Sequence, residues 1–335
     1  MRPPWIDAAW SVWVRRREGG RVPHAVLLAG PAGLGKRGLA ADIVGGLLCT
    51  APGPDGRPCG ACRACTLVAA GTHPDLHRVA LEVNEDSGKL RTEIVVEQVR
   101  ALRDALAQTS QFGGWRIALI DPADAMNGPS FNALLKTLEE PEASALLLLV
   151  CDRPGALPAT IRSRCQRIDL RFPARAEALA WLSAAGVAGT VGAETLDLAA
   201  GNPGLARAYA EPVARAQLET VLRDLAAVGS GRAAPGDVAG SWLKDKDATA
   251  GLLVLAAQAV RVAAWSTLGQ GSPGKSAAAL SGLTAGADFQ KLAQWWDRAN
   301  AIREQLRAPL RHDLLLLELL RDFRAVLRPS TAARG

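Results

Sequence analysis

No stretch of this 335-residue chain approaches the roughly 18 to 20 consecutive apolar residues that a membrane-spanning helix needs. The opening Met1-Arg2-Pro3-Pro4-Trp5 has no apolar core of the kind a secretory leader carries, so a cytoplasmic chain with no membrane association is expected. Neither sign of charge dominates: 39 Lys and Arg against 33 Asp and Glu leave +6. That surplus is too small to require an acidic partner; a solvated Arg-rich surface is expected, and contact with nucleic acid is compatible with it. Cysteine is sparse, six in all, and four of the six lie between positions 49 and 65. In a cytosolic chain such a cluster argues for metal binding and against a disulfide framework. With 49% hydrophobic and 21% charged residues the composition is globular, and the length suggests two or three domains.

Two further absences are chemical. Gly30-Pro31-Ala32-Gly33-Leu34-Gly35-Lys36-Arg37 follows the apolar run Ala25–Ala29 and leads into an apolar helix, Gly38 to Val44. Strand, glycine-rich turn and helix form the setting in which successive backbone N–H groups converge on phosphate oxygens. Gly30, Gly33, Gly35 and Lys36 are the candidate phosphate-binding residues, but the Ser or Thr that would hold Mg²⁺ after the lysine is replaced by Arg37. Further on, the apolar strand Trp115 to Asp121 ends in a carboxylate of the kind that faces a phosphate loop. The Glu that would activate water after Asp121 is Pro122, and Asp124 stands two residues too far along to replace it well. The loop can be built, yet two catalytic parts are missing. A loop that does not cleave phosphate is the expectation, with an empty loop and one that holds phosphate both left open.

Cys49 closes the helix after the loop, and Cys59-Gly60-Ala61-Cys62-Arg63-Ala64-Cys65 follows a Gly/Pro-rich excursion from Thr50 to Pro58. Two thiolates separated by two residues can turn back onto one ion, and a fourth from Cys49 completes a tetrahedral Zn²⁺ shell. An iron–sulfur run would want another cysteine at position 69, which is Ala. Cys49, Cys59, Cys62 and Cys65 are therefore read as a structural zinc site with no open coordination position. His73 and His77 lie close in sequence, but four thiolates already fill the shell.

Taken in order, Trp5, Trp10, Trp13 and Val14 give one face of an N-terminal helix that packs on the domain. Strands are expected at Ala25–Ala29, Leu76–Ala80, Trp115–Asp121, Ala145–Val150 and Arg167–Leu170, alternating with helices that include Val96–Leu106 and Pro129–Glu140. Residues 83 to 91 read as a loop, including Asn84, Asp86, Ser87 and Gly88. This is an α/β pattern with a parallel, helix-covered sheet. From Phe172-Pro173 onward the chain becomes Ala-rich and helical, broken at Gly186–Gly192, Gly201–Gly204 and a Gly/Ser/Pro loop at Gly269–Gly274. The last helix carries Leu314 to Leu317, Leu319 and Leu320, which suits a core helix or one packed between subunits equally.

The phosphate loop, the cysteine insertion, Thr72-His73-Pro74-Asp75, the run Asn132 to Pro141 (NALLKTLEEP) and Ser163-Arg164-Cys165 together resemble the AAA+ clamp-loader subunits of bacterial DNA polymerase III. The resemblance is strong over residues 21 to 170. It implies an AAA+ ATPase-like domain over 1–171 with its zinc module at 49–65, a small helical lid over 172–211, and a helical collar domain over 212–335. The implied partners are gamma/tau and delta subunits in a hetero-pentameric ring, with the sliding clamp and primed DNA engaged through the complex. Arg164, in the Ser-Arg-Cys motif, would act as an arginine finger on ATP and Mg²⁺ held by a neighbouring subunit. The missing parts at Arg37 and Pro122 resemble the stator rather than the motors. So does the strand-end pair Cys151-Asp152, and so does Gly204 where motors carry a nucleotide-sensing Arg, with Arg207 one turn later. The expectation is a subunit of the polymerase holoenzyme without ATPase activity of its own; the alternative is an active motor-type, gamma/tau-like ATPase.

Overall fold

The computed structural model describes residues 2–18, 22–84, 88–268, 278–306 and 310–327. The chain divides into two units, Met1–Pro173 and Ala174–Gly335.

The first unit is built on five parallel strands: β1 (Ala25–Ala29), β2 (Leu76–Val79), β3 (Arg116–Ile120), β4 (Ala145–Cys151) and β5 (Gln166–Asp169), in the order β2-β3-β4-β1-β5. Helices α1 (Trp5–Glu18), α2 (Lys36–Leu48), α3 (Arg63–Ala70), α4 (Val96–Leu106), α5 (Gly128–Glu139) and α6 (Ala159–Arg164) connect and cover them. Side chains alternate across a strand, so β1 is divided between two cores. Ala25, Leu27 and Ala29 join Leu102, Leu134 and Ile161 on one face, while Val26 and Leu28 join Trp10, Trp13, Leu39 and Ile43 on the other. Burial on both faces is why β1 and β4 read as unbroken apolar runs. All five strands lie within a residue or so of the expected positions. Residues 83 to 91 are not wholly loop: Val83 and Leu90 form an antiparallel bridge, while Asp86 and Ser87 lie outside the described residues.

The register fixes the business edge. Ala29 stands opposite Cys151 on one side and Asp169 on the other. The three strand ends therefore finish level, and Gly30 emerges between residues 151–152 and Leu170. Below β2, the Thr72-His73-Pro74-Asp75 motif is structural. The buried Asp75 carboxylate accepts hydrogen bonds from the Gln111 and Phe112 backbone N–H groups, at 2.8 and 3.0 Å, and from Ser110 Oγ at 3.0 Å. It thereby ties the turn before β3 to the start of β2. His73 Nδ1 accepts from the Asp75 N–H at 3.2 Å and its ring lies against Phe112.

The second unit is helical: α7 (Arg175–Ala184), α8 (Gly189–Leu198), α9 (Pro203–Ala210), α10 (Pro212–Gly229), α11 (Pro235–Trp242), α12 (Lys246–Thr267), α13 (Ala278–Thr284), α14 (Phe289–Gln305) and α15 (His312–Val326). The break expected at Gly186–Gly192 is narrower, because Gly189 to Gly192 form the first turn of α8. The loop expected at Gly269–Gly274 lies outside the described residues. Helices α8 and α9 pack on α12 and α10, so residues 174–211 and the helices that follow share one unit. One segment, Ala248–Trp265 of α12, is long and apolar enough to cross a membrane by length and composition, which the sequence had not suggested. Half of it is buried inside the unit, and its Arg261 donates to the Asp197 and Leu198 carbonyls at 2.7 and 3.3 Å. In α15, Leu316, Leu319, Leu320 and Phe323 are buried while Leu314 is exposed, and Trp295 of α14 donates to the Leu319 carbonyl at 2.7 Å.

Burial alone would raise the Asp75 pKa, but its three donors outweigh that and hold it below the usual carboxylate range. The stabilisation is complete above the unfolded value of about 3.9 and is lost as pH falls through the folded value. Asp75→Asn is expected to cost about 2 kcal/mol at neutral pH, because one buried donor then faces an amide N–H. Urea denaturation at pH 7 checks the loss. Melting scans between pH 5 and pH 3 should show a shallower acid dependence in the variant.

Candidate functional site

The phosphate loop is held by backbone geometry that only glycine supplies at its first position. Gly30 has φ +146°, and a Cβ there would stand 2.3 Å from the Leu170 carbonyl oxygen. Its N–H donates to the Cys151 carbonyl at 3.3 Å. At the far end Gly35, with φ +87°, starts α2. The N-terminal segment closes over the crest: Trp5 Nε1 donates to the Leu34 carbonyl at 2.9 Å, and Ile6 and Pro3 lie against Gly35. The tryptophans expected on one face of α1 thus pack on the domain, with Trp10 and Trp13 in the core.

Inside the loop, Lys36 is 1% exposed. Its ammonium donates to the Gly30 and Pro31 carbonyls at 2.6 and 2.7 Å and lies 2.6 Å from Asp152 Oδ1. The other Asp152 oxygen is 3.3 Å from Arg37 Nη2, and the same nitrogen is 2.8 Å from Asp121 Oδ1. Two cations and two carboxylates form one closed chain at the C-terminal edge of the sheet. Burial acts against the Arg37 charge, yet Asp121 and Asp152 together outweigh it and raise its pKa. Burial pushes the Asp121 carboxyl up, with Arg37 opposing.

A Mg²⁺ ion at this loop would require Asp121 and a hydroxyl where Arg37 stands. Instead the guanidinium lies against that carboxylate, so these residues do not fit the ion. Asp124 does not replace the missing acid. Its Oδ1 accepts the Asp152 N–H at 3.0 Å and its Oδ2 accepts Arg153 Nε at 2.9 Å. Burial would raise its pKa, but these donors prevail and lower it, which makes it a weak base.

Arg164 ends α6. Its Nη1 donates to the Thr160 carbonyl at 3.1 Å, and its Nη2 forms a 2.7 Å ion pair with Glu139 at the end of α5. Both side chains remain more than a third exposed. In the second unit, Gly204 lies in the first turn of α9 and Arg207 is exposed on it.

The four cysteines converge as the spacing requires. Their sulfurs lie within 4.8 Å of one another, with Cys49 to Cys62 at 3.7 Å and Cys59 to Cys65 at 4.0 Å. Zn–S bonds of about 2.3 Å in a tetrahedron give S···S edges of about 3.8 Å, so the cluster fits a structural zinc ion. Backbone N–H groups of Cys59, Cys62 and Cys65 point at the sulfurs of Cys49, Cys59 and Cys62, at 3.3 to 3.4 Å. Such donors, the Cys65 amide foremost, bring the Cys62 thiol down to about 5, while burial pushes Cys65 up to about 12. The loop between is braced by α1: Trp10 Nε1 donates to the Asp55 carbonyl at 3.2 Å, and Arg57 stacks on the Trp10 ring and pairs with Asp7.

Two partners escaped the sequence. Asp152 was visible as an unusual strand-end residue, but not as the counter-ion of Lys36, because β4 becomes the neighbour of β1 only in the folded sheet. Glu139, inside the NALLKTLEEP run, carried no signal pointing to Arg164.

Residues 6–174, just over half of the chain, match the family described as DNA polymerase III, delta subunit, and the chain belongs to that family. It is 46% identical over 184 residues to the DNA polymerase III subunit delta' of Pseudomonas aeruginosa, covering 54% of this chain and 52% of that one. Over 206 residues it is 34% identical to the delta' subunit of Escherichia coli, covering 61% and 60%. The tau subunit of Salmonella typhimurium is 39% identical over 152 residues, 45% of this chain and 22% of that one. The matched part spans about half the length of these delta' relatives.

Replacing one thiol should open the metal shell, since four ligands hold the ion and the loop together. Cys62→Ser is expected to lower zinc content well below one ion per chain and to make residues 50 to 62 cleavable by protease. Metal analysis and limited proteolysis check both; full zinc occupancy in the variant would refute a four-cysteine site.

Proposed function

We propose that this chain is a non-catalytic stator subunit of a bacterial clamp loader, assembled with gamma/tau and delta subunits in a hetero-pentameric ring that places a sliding clamp on primed DNA. One observation carries the reading: Arg37, at the magnesium-ligand position, is paired 2.8 Å from Asp121, the carboxylate that would hold the same ion. Pro122 and the fully engaged Asp124 support it from the side of water activation. Gly30, Gly33, Gly35, Lys36 and Asp121 are then an inherited scaffold, while Cys49, Cys59, Cys62 and Cys65 stiffen the end of α2 around zinc.

In this reading the ATP chemistry occurs on a neighbour, and Arg164 serves it in trans. Arg164 sits at a helix end, more than a third exposed, with one of its two guanidinium nitrogen ends held by Thr160 and the other by Glu139. A guanidinium presents five N–H donors, so it can meet phosphoryl oxygens with donors still to spare. Residues 1–171 would form the ATPase-like domain, 172–211 the lid and 212–335 the collar of a cytoplasmic protein.

Two measurements test this. The purified chain should hydrolyse ATP no faster than background; turnover that Lys36→Ala abolishes would refute the non-catalytic assignment. In the assembled loader, Arg164→Ala should lower the DNA-stimulated kcat by at least about tenfold while the ring still assembles, as expected for a group that stabilises transferring phosphoryl charge. An unchanged kcat would remove Arg164 from the finger role.

A further inference from the structure

The glycine scaffold of the phosphate loop is intact, and so is its lysine. What differs is the company that lysine keeps. An ammonium has three N–H donors. Here three acceptors surround it, the Gly30 and Pro31 carbonyls and Asp152 Oδ1, all within 2.7 Å, and the group is sealed from water. In a phosphate loop the lysine acts as the positive point charge for the β- and γ-phosphates. Asp152 already supplies an anion at that place, and Arg37 joins it to Asp121, so that two positive and two negative groups neutralise one another.

We infer that Asp152 is the residue that decides what this loop will take: its carboxylate fills the anion position of Lys36 and excludes nucleoside polyphosphates from an otherwise competent scaffold. An incoming triphosphate has to strip Lys36 of three partners. It also has to lie beside two carboxylates, and like charges at close range repel. Arg37 cannot compensate, because both carboxylates already share it. The position matters more than the charge count. The parallel register sets Ala29 opposite Cys151, which delivers the next residue of that strand end to the mouth of the loop. A neutral side chain there would leave the lysine facing an unoccupied anion position, with the backbone N–H groups of the glycine turn already arranged around it.

This rests on the non-catalytic reading of the same loop, and the two can fail separately. Calorimetry on the full-length chain, with MgATP and with inorganic triphosphate as probes, decides it. The unmodified chain is expected to give no saturable heat up to millimolar ligand. Asp152→Asn and Asp152→Thr should each bind both probes at least tenfold more tightly, and adding Lys36→Gln should remove the gain. Micromolar MgATP binding by the unmodified chain without turnover would overturn the role of Asp152 and leave the non-catalytic reading standing. The same holds if both variants stay folded, with unchanged melting temperatures, and bind no better. Loss of the fold in both variants also overturns it, since Asp152 would then be holding the domain together rather than selecting its ligand.

Discussion

The ammonium of Lys36, closed off from water and ringed by Asp152 and two carbonyls, is the contact on which the C-terminal edge of the sheet depends. A buried amine is tolerated only when it is paired and hydrogen-bonded, so its partners are constrained as strictly as it is. The Gly30 and Pro31 carbonyls must turn inward, which requires the loop to leave β1 under the Leu170 carbonyl where a side chain would not fit. Asp152 must follow β4 directly, which the register of β1 with β4 secures. Arg37 then fills the space between Asp152 and Asp121 and ties the end of β3 to the same cluster. One buried charge thus organises β1, β3 and β4 at their common edge.

Helix α2 carries this organisation to the metal cluster. It starts at Lys36 and ends at Leu48, so about 20 Å of helix, at about 1.5 Å per residue, separates the loop lysine from the first thiol, Cys49. Helix α1 lies against both ends: Trp5 is bonded to the loop crest and Trp10 to the cysteine excursion. The glycines at 45 and 46 allow the excursion to return onto α2, since a Cβ at 46 would meet the Gly56 carbonyl at 2.4 Å. A zinc ion bound by the four thiols would anchor the far end of the helix whose near end forms the loop.

Much of this was legible in the sequence because it is local. The apolar runs of β1 and β4 follow from burial on both faces, and the cysteine spacing carries its own geometry. The missing parts at Arg37 and Pro122 stand at fixed offsets from Lys36 and Asp121. What stayed hidden is long-range. Asp152 lies 116 positions from Lys36 and Glu139 lies 25 from Arg164, and only strand order or helix packing brings each pair together. Glycine misled at one point: Gly189 read as a breaker, yet with φ +65° it makes the left-handed turn that opens α8, a conformation glycine adopts without strain. The apolar segment of α12 went unremarked because Arg261 interrupts it, and that arginine is satisfied by carbonyls at the end of α8.

Arg37 and Arg164, both in the first unit, are held in different ways. Arg37 is about half exposed, yet it bridges two carboxylates, and one of these is also the counter-ion of the buried Lys36, whose charge would be stranded if that pairing were broken. Arg164 is held by one carboxylate that is itself half exposed, and pairs of that kind contribute only about 0 to 1 kcal/mol. The stiffness of the loop cluster therefore rests on the buried Lys36, whereas the exposed Arg164 pair is cheap to re-partner. Arg164 could exchange Glu139 for another anion at little cost, since both side chains are already more than a third exposed.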